Sequence, residues 1–125
     1  IGEKDRDQEG SYLSFIENQI RLGLSGLKKS QIKNIIIAYE PLWAIGKNAT
    51  REATPEEFVE IKIFIKKIIS DIFGHGSSKN ISILYGGSIN SLNAKSFLDA
   101  GADGLLVGRD SVNKDKLEAL IKVLK

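Results

Sequence analysis

Ile35-Ile36-Ile37-Ala38-Tyr39-Glu40-Pro41 is the stretch on which the fold turns. It is short, continuously apolar and rich in β-branched residues, the pattern of a strand buried on both faces in a parallel sheet. Pro41 ends it, and residues 42–53 follow as a loop holding Trp43, Gly46 and Asn48. Upstream, Leu13, Ile16, Ile20, Leu24 and Leu27 step by three or four, which predicts a helix weakened at its end by Gly26. Downstream, Thr54-Pro55-Glu56-Glu57 reads as a capping box with proline at the first helical position. That helix carries Phe58, Ile61, Ile65, Ile68, Ile69 and Ile72 and stops at Gly74.

Ile81 to Tyr85 reads as a second strand, Ser91 to Ala100 as a short helix and Gly104 to Gly108 as a third strand. Leu117, Leu120, Ile121 and Leu124 mark a last helix. The order α-β-α-β-α-β-α calls for parallel strands joined by helical crossovers. Neither a linker nor a repeat divides the chain, so it is one domain or part of one.

The 125 residues carry 18 Lys plus Arg against 16 Asp plus Glu. That balance gives no electrostatic reason to expect nucleic acid or an anionic membrane as a partner. The absence of cysteine excludes disulfides, thiol nucleophiles and thiolate metal sites, and a single histidine, His75, argues against a zinc site built by this chain. No apolar run approaches the ~20 residues that span a bilayer. The expectation is a soluble, cytoplasmic protein without a metal or cofactor. Residue 1 is Ile, which reads as either a lost initiator or a piece of a longer chain.

Chemistry is expected at the carboxyl ends of the parallel strands. Glu40 is the acidic residue at such an end: either a solvated loop carboxylate, or a partly desolvated base suited to proton abstraction. Gly86-Gly87-Ser88-Ile89-Asn90 and Gly108-Arg109-Asp110-Ser111 follow the next two strands. They either make simple turns or let backbone N–H groups approach a phosphate, with Gly108 expected directly before the last helix. The loop bearing Trp43 and Ile45 is either a lid or packing against the core. His75, between two glycines past a helix end, reads as a surface residue.

Ala38-Tyr39-Glu40-Pro41-Leu42-Trp43-Ala44-Ile45-Gly46 resembles the active-site motif of the triosephosphate isomerase family. Tyr85-Gly86-Gly87-Ser88-Ile89-Asn90 and Asp103-Gly104-Leu105-Leu106-Val107-Gly108 resemble its two phosphate-loop motifs, in order and spacing. Ile1-Gly2-Glu3 resembles the end of its fifth strand, and the match covers the whole chain. The fold this implies is α/β: parallel (β/α) units forming the C-terminal half of a (β/α)8 TIM barrel. Residues 1–125 would run from the end of strand 5 to helix 8, with the N-terminal half absent.

The resemblance also implies roles. Glu40 would be the catalytic base that shuttles a proton between two carbons of a triose phosphate. Pro41 to about Thr50 would form the closing lid. The amides of Gly46, Gly108 and Arg109, with Ser88, would bind the substrate phosphate. Ile45 and Leu106 would clamp Glu40 and strengthen it by desolvation. Tyr85 and Ser88 would latch the lid, and Glu3 would meet Trp43 in one lid state. No cofactor is implied, and the family implies a homodimer acting in glycolysis and gluconeogenesis.

Two features depart from the family pattern. Arg109 stands where a second glycine is usual after Gly108, and the lid around Lys47-Asn48-Ala49-Thr50-Arg51-Glu52 is longer than usual. The family barrel of ~250 residues also carries, in its first half, an electrophilic His with a nearby acid, a substrate-binding Asn and Lys, and a dimerisation loop. His75 sits at the wrong place in the order to replace that His. The 125 residues alone are therefore expected to be inactive and, with open sheet edges, to self-associate or stay partly molten. The alternatives are a short non-catalytic phosphate-binding or assembly module and, more remotely, another phosphate-binding barrel enzyme.

Overall fold

The apolar run forms β1 (Ile36–Tyr39), which lies parallel to β2 (Ser82–Tyr85), itself parallel to β3 (Gly104–Leu105). The computed structural model describes residues 1–125, with the strands in the order β1-β2-β3. Ile36 faces Ser82 and Tyr39 faces Tyr85 across the first ladder, and Leu84 faces Gly104 across the second. Residues 1–3 run beside the outer edge of β1: the Ile1 amine donates to the Ala38 carbonyl, Glu40 N–H to Ile1 and Leu42 N–H to Glu3.

Four α-helices connect and cover these strands: α1 (Ser11–Gly23), α2 (Pro55–Phe73), α3 (Ala94–Asp99) and α4 (Lys114–Val123). The Thr54 cap is formed as expected, with Glu57 N–H donating to Thr54 Oγ1 and Thr54 N–H to Glu57 Oε2. Ile16 and Ile20 of α1 and Phe58, Ile61 and Ile65 of α2 share one core with Ile37, Tyr39, Ile83 and Tyr85. The Tyr85 ring stacks on Phe97 of α3 at 3.8 Å, and Phe58 meets both rings edge-on.

The strands are covered on one face rather than two. Ile37, Tyr39, Ile83 and Tyr85 are buried beneath the helices, while Ile36 is 65% exposed and Ala38 and Leu84 are half-buried. The apolar run correctly marks a strand of a parallel sheet, but only the helix-covered face finds a partner within these residues. Other boundaries are shorter than the apolar pattern suggests. The β3 ladder ends at Leu105, although Leu106 N–H still donates to Tyr85. Helix α3 starts at Ala94 because Asn90 Oδ1 accepts from the N–H groups of Leu92 and Asn93, which makes a side-chain turn of those residues. Helix α1 stops before Leu24 and Leu27, and α4 buries only Leu120 fully. No helix is long and apolar enough to cross a membrane.

Candidate active site

Glu40 leaves β1 at its carboxyl end and lies directly beside Gly86 at the end of β2. A Cβ on Gly86 would stand 2.6 Å from Glu40 Cγ and 2.8 Å from Oε1, so the glycine makes room for the carboxylate. Glu40 is half-buried and lines a cavity of about 510 Å³. The same cavity is bounded by Ile45 and Gly46 from the loop after β1, Gly86 to Asn90 after β2, and Leu106, Gly108 and Arg109 after β3. The three strand ends thus converge on one space.

Backbone donors surround it. The N–H groups of Gly46, Gly87, Ser88, Gly108 and Arg109 donate to no acceptor in the chain, although all five residues line the cavity. Gly46, which lines the cavity, has a φ of 76°, a conformation that strains any side chain and suits glycine. Gly87 approaches Tyr85 so closely that a Cβ would lie 1.9 Å from its hydroxyl. Unpaired N–H groups converging from separate loops are what a phosphate or other oxyanion requires.

Gly108 does not directly precede α4. A 3-10 turn, Arg109–Val112, intervenes, with Ser111 Oγ and N–H both donating to the Gly108 carbonyl. The open N–H groups of the loop are therefore those of Gly108 and Arg109 in the turn itself, and the α4 terminus is capped by Asn113.

The loop after β1 is tied down at several points. Pro41, Trp43 and Ala44 are buried, and Leu42 to Ala44 form a 3-10 turn. Ser88 Oγ donates to the Ala44 carbonyl at 2.9 Å, joining the β2 loop to the base of the expected lid. Tyr85 makes no such bond. Its ring is directed into the aromatic cluster under the sheet, where burial raises the pKa of its hydroxyl. Ile45 is half-buried and Leu106 is 42% exposed, on the rim of the same cavity.

Beneath the loop, Glu3 is buried and its Oε1 accepts from Trp43 Nε1 and the Tyr39 hydroxyl, both at 2.8 Å. Burial, reinforced by Glu3, raises the Tyr39 pKa well above its ordinary range. Arg6 lies 3.4 Å from Glu3 and donates to Glu57 at 3.2 Å. Arg51 makes two bonds to Glu57 and stacks over Trp43 at 4.3 Å. The meeting of Glu3 and Trp43 was expected, but the parts of Arg6, Arg51 and Glu57 were not. His75 is exposed, after the end of α2, and no group of three or more His, Cys, Asp or Glu could hold a metal ion.

Comparison with known proteins gives the family. The family model for triosephosphate isomerase matches residues 1–124. The chain belongs to the triosephosphate isomerase family. It is 39% identical over 124 residues to triosephosphate isomerase of Chloroherpeton thalassium, covering 98% of this chain and 48% of that protein. The corresponding enzyme of Flavobacterium psychrophilum is 38% identical over 97% of this chain and 48% of its own length. That of Borrelia garinii is 40% identical, again over 97% and 48%. The chain spans about half the length of the curated relatives it matches. Within the triosephosphate isomerase fold it supplies parallel (β/α) units of a barrel.

Proposed function

We propose that the protein carrying this chain is a triosephosphate isomerase, interconverting D-glyceraldehyde 3-phosphate and dihydroxyacetone phosphate through an enediol or enediolate. The observation that carries this reading is one cavity lined both by Glu40 and by residues whose backbone N–H groups are unpartnered. Glu40 takes a proton from the carbon beside the carbonyl and returns it to the neighbouring carbon. The N–H groups of Gly46, Gly108 and Arg109 hold the phosphate, with Ser88 contributing from the β2 loop. Binding energy from the phosphate thereby orients a small substrate whose reacting carbons offer few handles of their own.

Residues from Pro41 to about Thr50 close over the substrate, and Ile45 and Leu106 exclude water from Glu40. Desolvation makes the carboxylate a stronger base where the proton moves. Tyr85 takes part as a latch only if the loop moves toward it, whereas Ser88 already holds the loop base. No cofactor or metal is needed, and the whole protein acts as a cytoplasmic homodimer in triose phosphate metabolism.

Residues 1–125 form the strand 5 to helix 8 part of the barrel and are inactive alone, because general base catalysis contributes only ~10²–10⁴-fold and no histidine stands at the strand ends. A second reading, a phosphate-binding module without catalysis, is supported by the cavity-lining residues whose N–H groups are unpartnered, which do not call on Glu40. An assay of the full gene product with glyceraldehyde 3-phosphate separates the two. Turnover to dihydroxyacetone phosphate supports the isomerase, while phosphate binding without turnover selects the module.

A further inference from the structure

Side-chain charge around the cavity is unevenly matched. Glu40 and Glu52 line it as carboxylates without a cationic partner, and Lys116 is engaged by Asp110 at 3.1 Å. Arg109 lines the same cavity, is exposed, and makes no ion pair or side-chain hydrogen bond. Three carboxylates, Glu40, Glu52 and Asp110, line this space against two cations, and with Lys116 held by Asp110, Arg109 is the cation left free to meet an anionic substrate. Its backbone is held in the 3-10 turn that Ser111 closes onto the Gly108 carbonyl. The space beside Gly108 is open, with nothing within 4 Å of where a Cβ would stand.

We propose that the Arg109 guanidinium is a specificity residue of this site, binding the substrate phosphate through its side chain in addition to its N–H. This rests on the phosphate reading given under Proposed function. A guanidinium offers a planar fork that matches two phosphate oxygens, and charge-assisted bonds of that kind are stronger than bonds from neutral amides. Where glycine is usual at this position, the phosphate is met by amides alone; here the site gains a full positive charge. The consequence is a phosphate site with a larger electrostatic component, selective for the dianion and sensitive to salt.

The test uses the full gene product and inorganic phosphate as the probe, titrated calorimetrically at low and high salt. Arg109→Ala is expected to weaken phosphate binding about tenfold and to flatten its salt dependence, with Arg109→Lys falling between. Equal affinity and salt dependence in wild type and Arg109→Ala overturn the proposal, as does a wild type that binds no phosphate. Isomerisation is measured in parallel. A wild type that turns over triose phosphate while Arg109→Ala binds phosphate unchanged refutes the role of Arg109 alone. Arginine-dependent phosphate binding without turnover upholds that role and refutes the isomerase reading.

Discussion

Trp43 Nε1 donates to Glu3 Oε1 at 2.8 Å, joining the base of the loop after β1 to the segment beside that strand. The acceptor is buried, and its other oxygen has no hydrogen-bond partner, so the carboxylate depends on Trp43, Tyr39 and Arg6. Trp43→Phe removes one of these groups and leaves a smaller aromatic ring in place of the buried indole. The expected cost is about 1–3 kcal/mol, the range for unpairing a buried polar group. Urea unfolding of wild type and variant measures it, and an unchanged midpoint would show that the bond carries no stability.

A second prediction concerns acid. Hydrogen bonds from Arg51 hold the Glu57 carboxyl at about 2, against an ordinary value of 4.5. Because the folded value is the lower one, the stabilisation is complete above about pH 4.5 and is lost as pH falls towards about 2. Asp7, bonded by Ser11, is lowered from 3.8 to about 2 and acts over a narrower window, between about pH 3.8 and 2. Glu57→Gln should therefore make the thermal midpoint less steep between about pH 4.5 and 2. Adding Asp7→Asn should reduce the slope further. A slope that Glu57→Gln leaves untouched would contradict the pairing.

Two glycines of the cavity should behave differently. A methyl at Gly86 would collide with Glu40 Cγ, whereas one at Gly108 meets nothing within 4 Å. Gly86→Ala in the full gene product is expected to lower kcat by displacing the carboxylate, a misplacement that can cost about 10²-fold. Gly108→Ala should keep the thermal midpoint and chiefly raise KM, since Gly108 lines the cavity. Steady-state kinetics with thermal melts distinguish these outcomes, and equal effects at both positions would argue against the cavity as the site.

Much of this arrangement was legible locally. Glu40 and Ser88 follow strands whose apolar runs are continuous in sequence, and Gly86 and Gly108 close the second and third runs. The capping box at Thr54 and Glu57 spans three residues and was readable for the same reason. Arg6 and Glu57 are 51 positions apart, and no period or spacing links them. Which face of β1 is covered is not legible, because an apolar run records that a residue tolerates burial, not which face has a partner. The start of α3 was placed too early because the Asn90 and Asn93 side chains divert backbone donors into a turn, which apolar spacing does not register.

Glu40 is the centre of the account, and a second acid at its position offers a graded test. Glu40→Asp in the full gene product withdraws the carboxylate by one methylene while keeping its charge. Turnover should fall far more than substrate affinity, because the shorter side chain misplaces the base without disturbing the phosphate loops. Equal losses in kcat and affinity would place Glu40 in binding instead.

The most direct measurement is the rate at which the full gene product exchanges solvent deuterium into dihydroxyacetone phosphate, compared between wild type and Glu40→Gln. The glutamine fills the same space and cannot accept the proton. A loss of about 10²–10⁴-fold in exchange, with phosphate affinity and thermal midpoint retained, is the predicted result. Exchange at the wild-type rate in Glu40→Gln would contradict the assignment of Glu40 as the base.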